Sequence, residues 1–402
     1  PIDSALLTRF TKLTGREPHR FLRRGIFHYH RDFNEMLDCY ENGDRFFIYT
    51  GRGPSTGSMH LGHTVPFEFT RYLQEAPDVP VVIMLSDGEK ALRSGGSASD
   101  FSDAAAYARE NIKDVVALGF DVSRTFIYTN SGYVGGQLGS YPHAGSRFRA
   151  NERSFARFVS VHAVQAAFGF DDSTSLGYTA YPIRQCAGAL AGSYPEVFGV
   201  DPAAAQPSAE MAKMRCLVPM GIDQDPFFRL LRRNVGRMGV EKPALLHADF
   251  LPGLQGACAG EGGGEEGKMS ASKPNPVIFL TDTEKVVERK VKRYAYSGGR
   301  ETLEEHRMYG GDTDVDVAYQ FLRVFEEDDE RLEEVREGYQ AGRLLSGELK
   351  KICVRVLQEY VRGFQERRKR VTEEAVAEFM RPRRLGGNVH CGNEFKGYEE
   401  RE

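Results

Sequence analysis

The chain has 402 residues, 41% of them hydrophobic and 27% charged, with a formal net charge of -4 at pH 7. That length suits about two or three domains with a substantial core, which excludes a peptide hormone or a disulfide-stapled mini-domain. The composition excludes collagen-like, coiled-coil and wholly disordered chains.

A slightly acidic molecule must hold any nucleic acid through local basic patches and not through its overall field. No apolar run is long enough to span a bilayer. Neither DNA nor a membrane is therefore an expected partner. Six cysteines without a CxxC pair read as reduced thiols in a cytoplasmic setting and point away from a zinc or iron–sulfur site. Because the sequence begins at Pro1, the expectation is a trimmed N-terminus, and an organellar leader stays open.

The first strong element is Arg45 to Thr50, a short apolar run closed by the turn-rich Gly51-Arg52-Gly53-Pro54-Ser55-Thr56-Gly57; it predicts a buried strand and its loop. Val65, Phe69, Tyr72, Leu73 and Ala76 form one apolar stripe, which predicts a helix with Pro66 tolerated in its first turn. Val79 to Leu85 predicts a second strand, Asp100 to Leu118 a helix ended by Gly119, and Arg124 to Thr129 a third strand. This alternation predicts an α/β fold, a Rossmann-like parallel sheet whose ligands bind at the carboxyl ends of the strands. The loop at 51 to 63 lies at such an end. Residues 130 to 210 break the alternation and read as an inserted helical segment, after which Arg215 to Met220 and Ala244 to Ala248 resume strand character. From Thr281 onward the pattern is helical and highly charged. The predicted division is an N-terminal segment at 1–44, a catalytic domain at 45–280, an all-helical domain at 281–385 and a loose tail at 386–402.

Two segments carry chemistry. His60-Leu61-Gly62-His63 sits between a predicted strand and helix, where imidazoles can donate to phosphate oxygens and Gly62 lets a flat base approach the backbone. Lys268-Met269-Ser270-Ala271-Ser272 follows the glycine-rich run Gly262-Gly263-Gly264; a lysine and hydroxyls on such a loop can close over a polyphosphate and neutralise charge as pyrophosphate leaves. Taken singly, the first is matched by two surface histidines at a helix start and the second by a solvated loop.

In this order the two segments resemble the HIGH and KMSKS motifs of class I aminoacyl-tRNA synthetases. The runs Tyr49-Thr50-Gly51-Arg52-Gly53-Pro54-Ser55, Pro243 to His247, Ser297-Gly298-Gly299-Arg300 and Glu304-Glu305-His306-Arg307 narrow the resemblance to tryptophanyl-tRNA synthetases of eukaryotic and archaeal type, over about Gly15 to Leu385. The resemblance implies that Tyr49 presents its hydroxyl to the indole nitrogen of tryptophan. It assigns Glu89 and Lys90 to the ammonium and carboxylate of the amino acid, with Gln185 and Gln224 completing the site. It assigns Arg52, Gly53, His60, Gly62, His63, Asp223, Lys268, Met269, Ser270 and Ser272 to ATP, with Mg2+ on the phosphates and no metal held by the protein. His60, His63, Lys268 and Ser270 are the catalytic expectations. Asp223 also reads as a helix N-cap ahead of Pro226, the preferred reading of that residue.

Three departures stand out. Met84 occupies a position where eukaryotic relatives usually carry a glutamine that helps read the indole nitrogen; methionine packs on an aromatic ring but accepts an N–H poorly. Gly88 stands where an acid is usual. The loop from Cys258 to Gly267 is longer than usual, which bears on closure of the lysine loop.

The resemblance makes the helical domain the anticodon-binding domain and implies a homodimer. Lys285, Arg289 and Lys292 form a basic helix face able to follow a tRNA backbone, or equally a solvated face. Arg300 and Glu301 lie near the anticodon-reading position. Arg367 to Arg370 reads as surface charge, and the arginines between Arg16 and Arg24, in a segment expected over the ATP site, suit phosphates or solvent. The implied function is ATP-dependent charging of tRNA(Trp) with L-tryptophan. The alternatives are a tyrosine or broader aromatic specificity, or a non-catalytic tRNA-binding paralogue.

Overall fold

The computed structural model describes residues 1–89, 92, 99–136, 145–200, 209–256 and 276–387. Among these, six strands form one sheet: β1 (Phe27–Arg31), β2 (Phe46–Arg52), β3 (Val81–Leu85), β4 (Thr125–Thr129), β5 (Arg215–Gly221) and β6 (Ala244–Ala248). Their order is β1-β6-β5-β2-β3-β4. All neighbours run parallel except β1, which pairs antiparallel with β6. From β2 the chain builds outward through β3 and β4, then returns to lay β5 on the other side of β2. A crevice opens where strand order reverses, at the carboxyl ends of β2 and β5.

The parallel strands are apolar on both faces because helices cover both. Alternation sends Phe46, Ile48, Val81 and Ile83 into one core with the Leu61–Glu75 helix, and Phe47, Tyr49, Val82 and Met84 into the other. The second core is closed by helices between β4 and β5, including Ser146–Ala156 and Leu176–Ala187, and by Asp225–Met238. The inserted region is helical, as its pattern implies.

Six helices fill 284–380, the longest being Ser346–Lys369. Their apolar faces, with Val287, Val291, Phe321 and Leu357, continue the same core as Leu61 and Val65, so this region is packed onto the sheet's helical layer.

Four expectations need correction. β1 is an edge strand that the apolar-run criterion passes over, because Phe27-His28-Tyr29-His30-Arg31 is polar at alternate positions. Pro66 lies in the second turn of a helix that begins at Leu61, so it removes the N–H that would bond the Gly62 carbonyl. Arg20, Arg23 and Arg24 face the helical region: Arg20 donates to the Val324 carbonyl at 3.0 Å and pairs with Glu68 at 3.0 Å, while Arg23 and Arg24 both bond Asp329. They serve as a strap between segments and not as phosphate ligands. At the start of the expected tail, the Gly386 amide bonds the Ser123 carbonyl at 2.9 Å, beside Leu385, whose amide bonds the Val197 carbonyl at 3.0 Å; residues 388–402 lie outside the described residues.

Candidate active site

The HIGH-like segment is shaped by its position at the mouth of the Leu61–Glu75 helix. The His60 amide donates to His63 Nδ1 at 3.2 Å, and the two rings stack with centroids 3.4 Å apart. Because Nδ1 of His63 accepts, its proton sits on Nε2, the donor needed at an anion. Backbone bonds brace the same segment. Leu61 N donates to Ile278 O at 3.1 Å, Leu280 N to Met59 O at 2.9 Å, and His60 and Phe279 form an antiparallel bridge. Met59 N donates to Asp114 Oδ2 at 3.0 Å.

His60, Gly62 and His63 line a cleft with Arg52, Gly53, Asp223 and Phe250. Arg52 is 7% exposed, and among the described residues none of its three guanidinium nitrogens has a hydrogen-bond partner. Burial pulls the guanidinium down to about 9, against the attraction of Asp114, so it remains cationic at pH 7. A buried, unpaired cation is costly unless an anion completes it. This cleft therefore favours a polyanionic ligand.

A second cavity abuts the first, the two sharing Gly51, Pro66, Gln185, Gly221 and Gln224. Tyr49 lines it, and its hydroxyl donates to Met84 Sδ at 3.3 Å and approaches the Gln185 carbonyl at 3.4 Å. Burial drives this phenol well above its ordinary range, so it stays protonated and can accept on its free lone pair. Gln185 Nε2 donates to Gln224 Oε1 at 2.9 Å, joining helix Leu176–Ala187 to the turn after β5. Glu89 lines the first cleft and accepts from Ser86 Oγ at 3.1 Å. A neutral slot floored by Tyr49 thus joins a carboxylate and a cationic phosphate shelf.

Tyr49, Arg52, Gly53, His60, Gly62, His63, Glu89, Gln185, Asp223 and Gln224 are therefore brought together. Met84 lies behind Tyr49, 1% exposed, and reaches the slot through that hydroxyl. Asp223 is not the helix cap: it sits in the 3-10 turn Ile222–Gln224, and Gln224 holds the cap position of helix Asp225–Met238 without a side-chain cap bond. Lys90, Lys268, Met269, Ser270 and Ser272 lie outside the described residues. The chain on either side of 257–275 comes together, with Leu254 N donating to Pro276 O at 3.4 Å.

Lys285, Arg289 and Lys292 are exposed on helix Glu284–Tyr294, with Lys292 paired to Glu288. Arg300 donates to the Gly310 carbonyl at 3.0 Å, and Glu301 is exposed. Arg368 is not simply surface charge: it bonds Asp114 at 2.7 Å and Glu110 at 2.6 Å. Sequence reasoning missed Ser86 and Phe250 in the cleft; their positions at strand carboxyl ends were the available signal.

The family model of class I tRNA synthetases (W and Y) matches residues 41–361. The cytoplasmic tryptophan–tRNA ligase of Mus musculus is 46% identical over 390 residues, 97% of this chain and 75% of that one. That of Saccharomyces cerevisiae is 44% identical over 385 residues, covering 96% and 82%. Among solved structures, tryptophanyl-tRNA synthetase from Giardia lamblia superposes with a TM-score of 0.83 at 41% identity, covering 94% of this chain and 92% of that one. The Plasmodium falciparum tryptophanyl-tRNA synthetase gives 0.81 at 40% identity, covering 95% and 94%. With this sheet, this paired-histidine cleft and this breadth of likeness, the chain belongs to the tryptophanyl-tRNA synthetase family of class I tRNA synthetases.

Proposed function

We propose that this enzyme activates L-tryptophan with ATP and transfers the resulting acyl group to tRNA(Trp). The observation that carries the reading is Arg52, a buried guanidinium with no hydrogen-bond partner among the described residues, in a cleft that opens onto the Tyr49 slot. The tryptophan carboxylate attacks the α-phosphorus in line; the α-phosphorus–oxygen bond to pyrophosphate breaks, leaving tryptophanyl-adenylate. A terminal ribose hydroxyl of the tRNA then displaces AMP from the acyl carbon. No protein nucleophile is needed, because the substrate carboxylate attacks, and the protein's work is positioning and charge stabilisation.

Arg52, His60 and His63 meet the phosphates, with Lys268, Met269, Ser270 and Ser272 completing their charge balance, and Gly53, Gly62 and Asp223 hold the nucleoside. Mg2+ enters as part of the triphosphate substrate. The Tyr49 hydroxyl accepts the indole N–H; Glu89 meets the ammonium, Lys90 the carboxylate, and Gln185 and Gln224 the remaining polar atoms. The region 281–385 binds the tRNA through Lys285, Arg289, Lys292, Arg300 and Glu301, with 45–280 as the catalytic unit. We assign the working protein to the cytoplasm as a homodimer.

Amino-acid-dependent exchange of pyrophosphate into ATP, run against all common amino acids, tests this reading. Tryptophan alone should support exchange. Exchange with tyrosine and not tryptophan would overturn the specificity, and none with any amino acid would overturn catalysis.

A further inference from the structure

The HIGH-like segment owes its placement to residues far outside it. We propose that Lys290 is a positioning residue for the ATP site: from helix Glu284–Tyr294 it fixes the 276–282 segment against which His60 is braced. The inference rests on the reading that the cleft binds ATP.

Lys290 is buried, unlike Lys285, Arg289 and Lys292 on the same helix. Its ammonium donates to the Val277 carbonyl at 2.6 Å and to Asp282 Oδ2 at 2.7 Å, and lies 5.2 Å from the Phe279 ring centre. The same carboxylate oxygen accepts the Phe279 amide at 3.0 Å. One ammonium and one carboxylate therefore set the backbone at 277 and 279. Between and beside those residues, Ile278 O and Leu280 N bond Leu61 and Met59.

Gln365 supports the same turn from helix Ser346–Lys369, donating to the Leu280 and Asp282 carbonyls, each at 2.9 Å. Replacing the ammonium by an apolar end would leave Asp282 partly buried without its cation and Val277 O without a donor. The 277–280 backbone would then be free to shift and carry Met59, His60 and Leu61 with it. Small displacements of a phosphate-binding group cost transition-state stabilisation steeply.

The test uses the full chain with Lys290→Met, Lys290→Arg and Gln365→Leu, and Arg336→Ala as control, since Arg336 makes an exposed pair with Glu333. Three quantities are read on each preparation: the KM for ATP in tryptophan-dependent pyrophosphate exchange, the Kd for tryptophan by its own fluorescence, and Tm. Lys290→Met should raise the ATP KM about fivefold or more, with the tryptophan Kd unchanged within about twofold. Lys290→Arg should recover most of the loss, Gln365→Leu should move the ATP KM in the same direction by less, and Arg336→Ala should not move it. A fall in Tm with an unchanged ATP KM, or ATP and tryptophan constants moving together, would overturn the proposal by making Lys290 a purely structural residue. Should Lys290→Met fail to fold, the uncharged substitution Gln365→Leu decides alone. If the wild-type protein shows no tryptophan-dependent exchange, the functional reading fails separately, and ATP Kd by calorimetry on the same variants still decides the role of Lys290.

Discussion

The hydroxyl of Tyr49 donates to the thioether sulfur of Met84 across 3.3 Å, and both side chains are 1% exposed. A sulfur is a weak acceptor, so this donated bond is a weak one, and the phenol oxygen can still accept a hydrogen bond. The parallel register between β2 and β3, with Gly51 opposite Met84, sets this pair on the sheet face covered by the inserted helices.

If Met84 acts only through that hydroxyl, its effect must vanish when the hydroxyl does. Tyr49→Phe should weaken tryptophan about tenfold or more, because the indole N–H is left buried and unpaired. Met84→Leu should weaken it by less than about fivefold, the hydroxyl still having the Gln185 carbonyl. The double variant should match Tyr49→Phe, a non-additivity measurable by double-mutant cycle. The chain contains no tryptophan, so selective indole excitation follows the substrate, free and bound, without indole emission from the protein. Additive losses would mean that Met84 touches the indole itself.

Gly188 ends the helix that carries Gln185, and a Cβ there would stand 2.2 Å from the Tyr49 hydroxyl oxygen and 2.4 Å from its ring carbon. Tyr49 is too buried to retreat, so Gly188→Ala must push the helix end or the ring, at about 1–3 kcal/mol for such overpacking. Tryptophan binding should be lost while ATP binding, measured by calorimetry, changes little. Equal loss of both would place the strain in the whole sheet.

Arg52 should show the opposite balance between stability and function. Its guanidinium is desolvated with no hydrogen-bond partner among the described residues, so Arg52→Met should raise the Tm of the ligand-free enzyme or leave it unchanged. ATP affinity should fall about tenfold or more, matching a lost charge-assisted contact. A large fall in Tm would show that the charge is satisfied within the apo fold.

Lys268 is assigned to charge that develops on departing pyrophosphate, a contact stronger in the transition state than in the ground state. Lys268→Ala should therefore lower the single-turnover rate of adenylate formation far more than it weakens tryptophan. Comparable changes in both would reduce the residue to a binding group.

How far these features can be read from sequence depends on their range. Strands β2 to β6 are largely apolar runs because both faces are covered, and short apolar runs bounded by turn signals find them. β1 shows only half such a signal because it is an antiparallel edge. Composition also misjudges charge: Arg368 looks like a solvated helix residue, yet its partner Asp114 lies on the distant helix Ser99–Ala117, which helix spacing cannot foresee. Tyr49, Gln185 and Gln224 are far apart in sequence, and no local pattern joins them. Their convergence was foreseeable only from resemblance to a family.

Acid should weaken the protein in two stages. His19 packs edge-on to Phe21 at 4.5 Å and against Tyr72 at 5.0 Å. Burial, aided by the charges of Arg20, Arg71, Arg23 and Arg24, pulls its pKa from 6.5 to about 3. The unfolded chain then binds the proton more readily than the folded one between those values, so stability is full above about pH 6.5 and declines as pH falls towards 3. Asp225 follows at lower pH. Burial alone would raise its carboxyl, but hydrogen bonds from His247 at 2.8 Å and Arg31 at 3.1 and 3.2 Å outweigh this and hold it at about 2, below the ordinary 3.8. Its stabilisation is complete above about pH 4 and lost as pH falls through about 2. Urea midpoints at pH 7, 5 and 3.5 should therefore fall progressively, the upper interval reporting His19. His19→Asn can still accept the Phe21 amide that His19 now caps at 3.2 Å, and although it lowers stability throughout by loss of packing, it should flatten the slope between pH 6.5 and 5. An unchanged slope would move the titrating group away from the N-terminal strap.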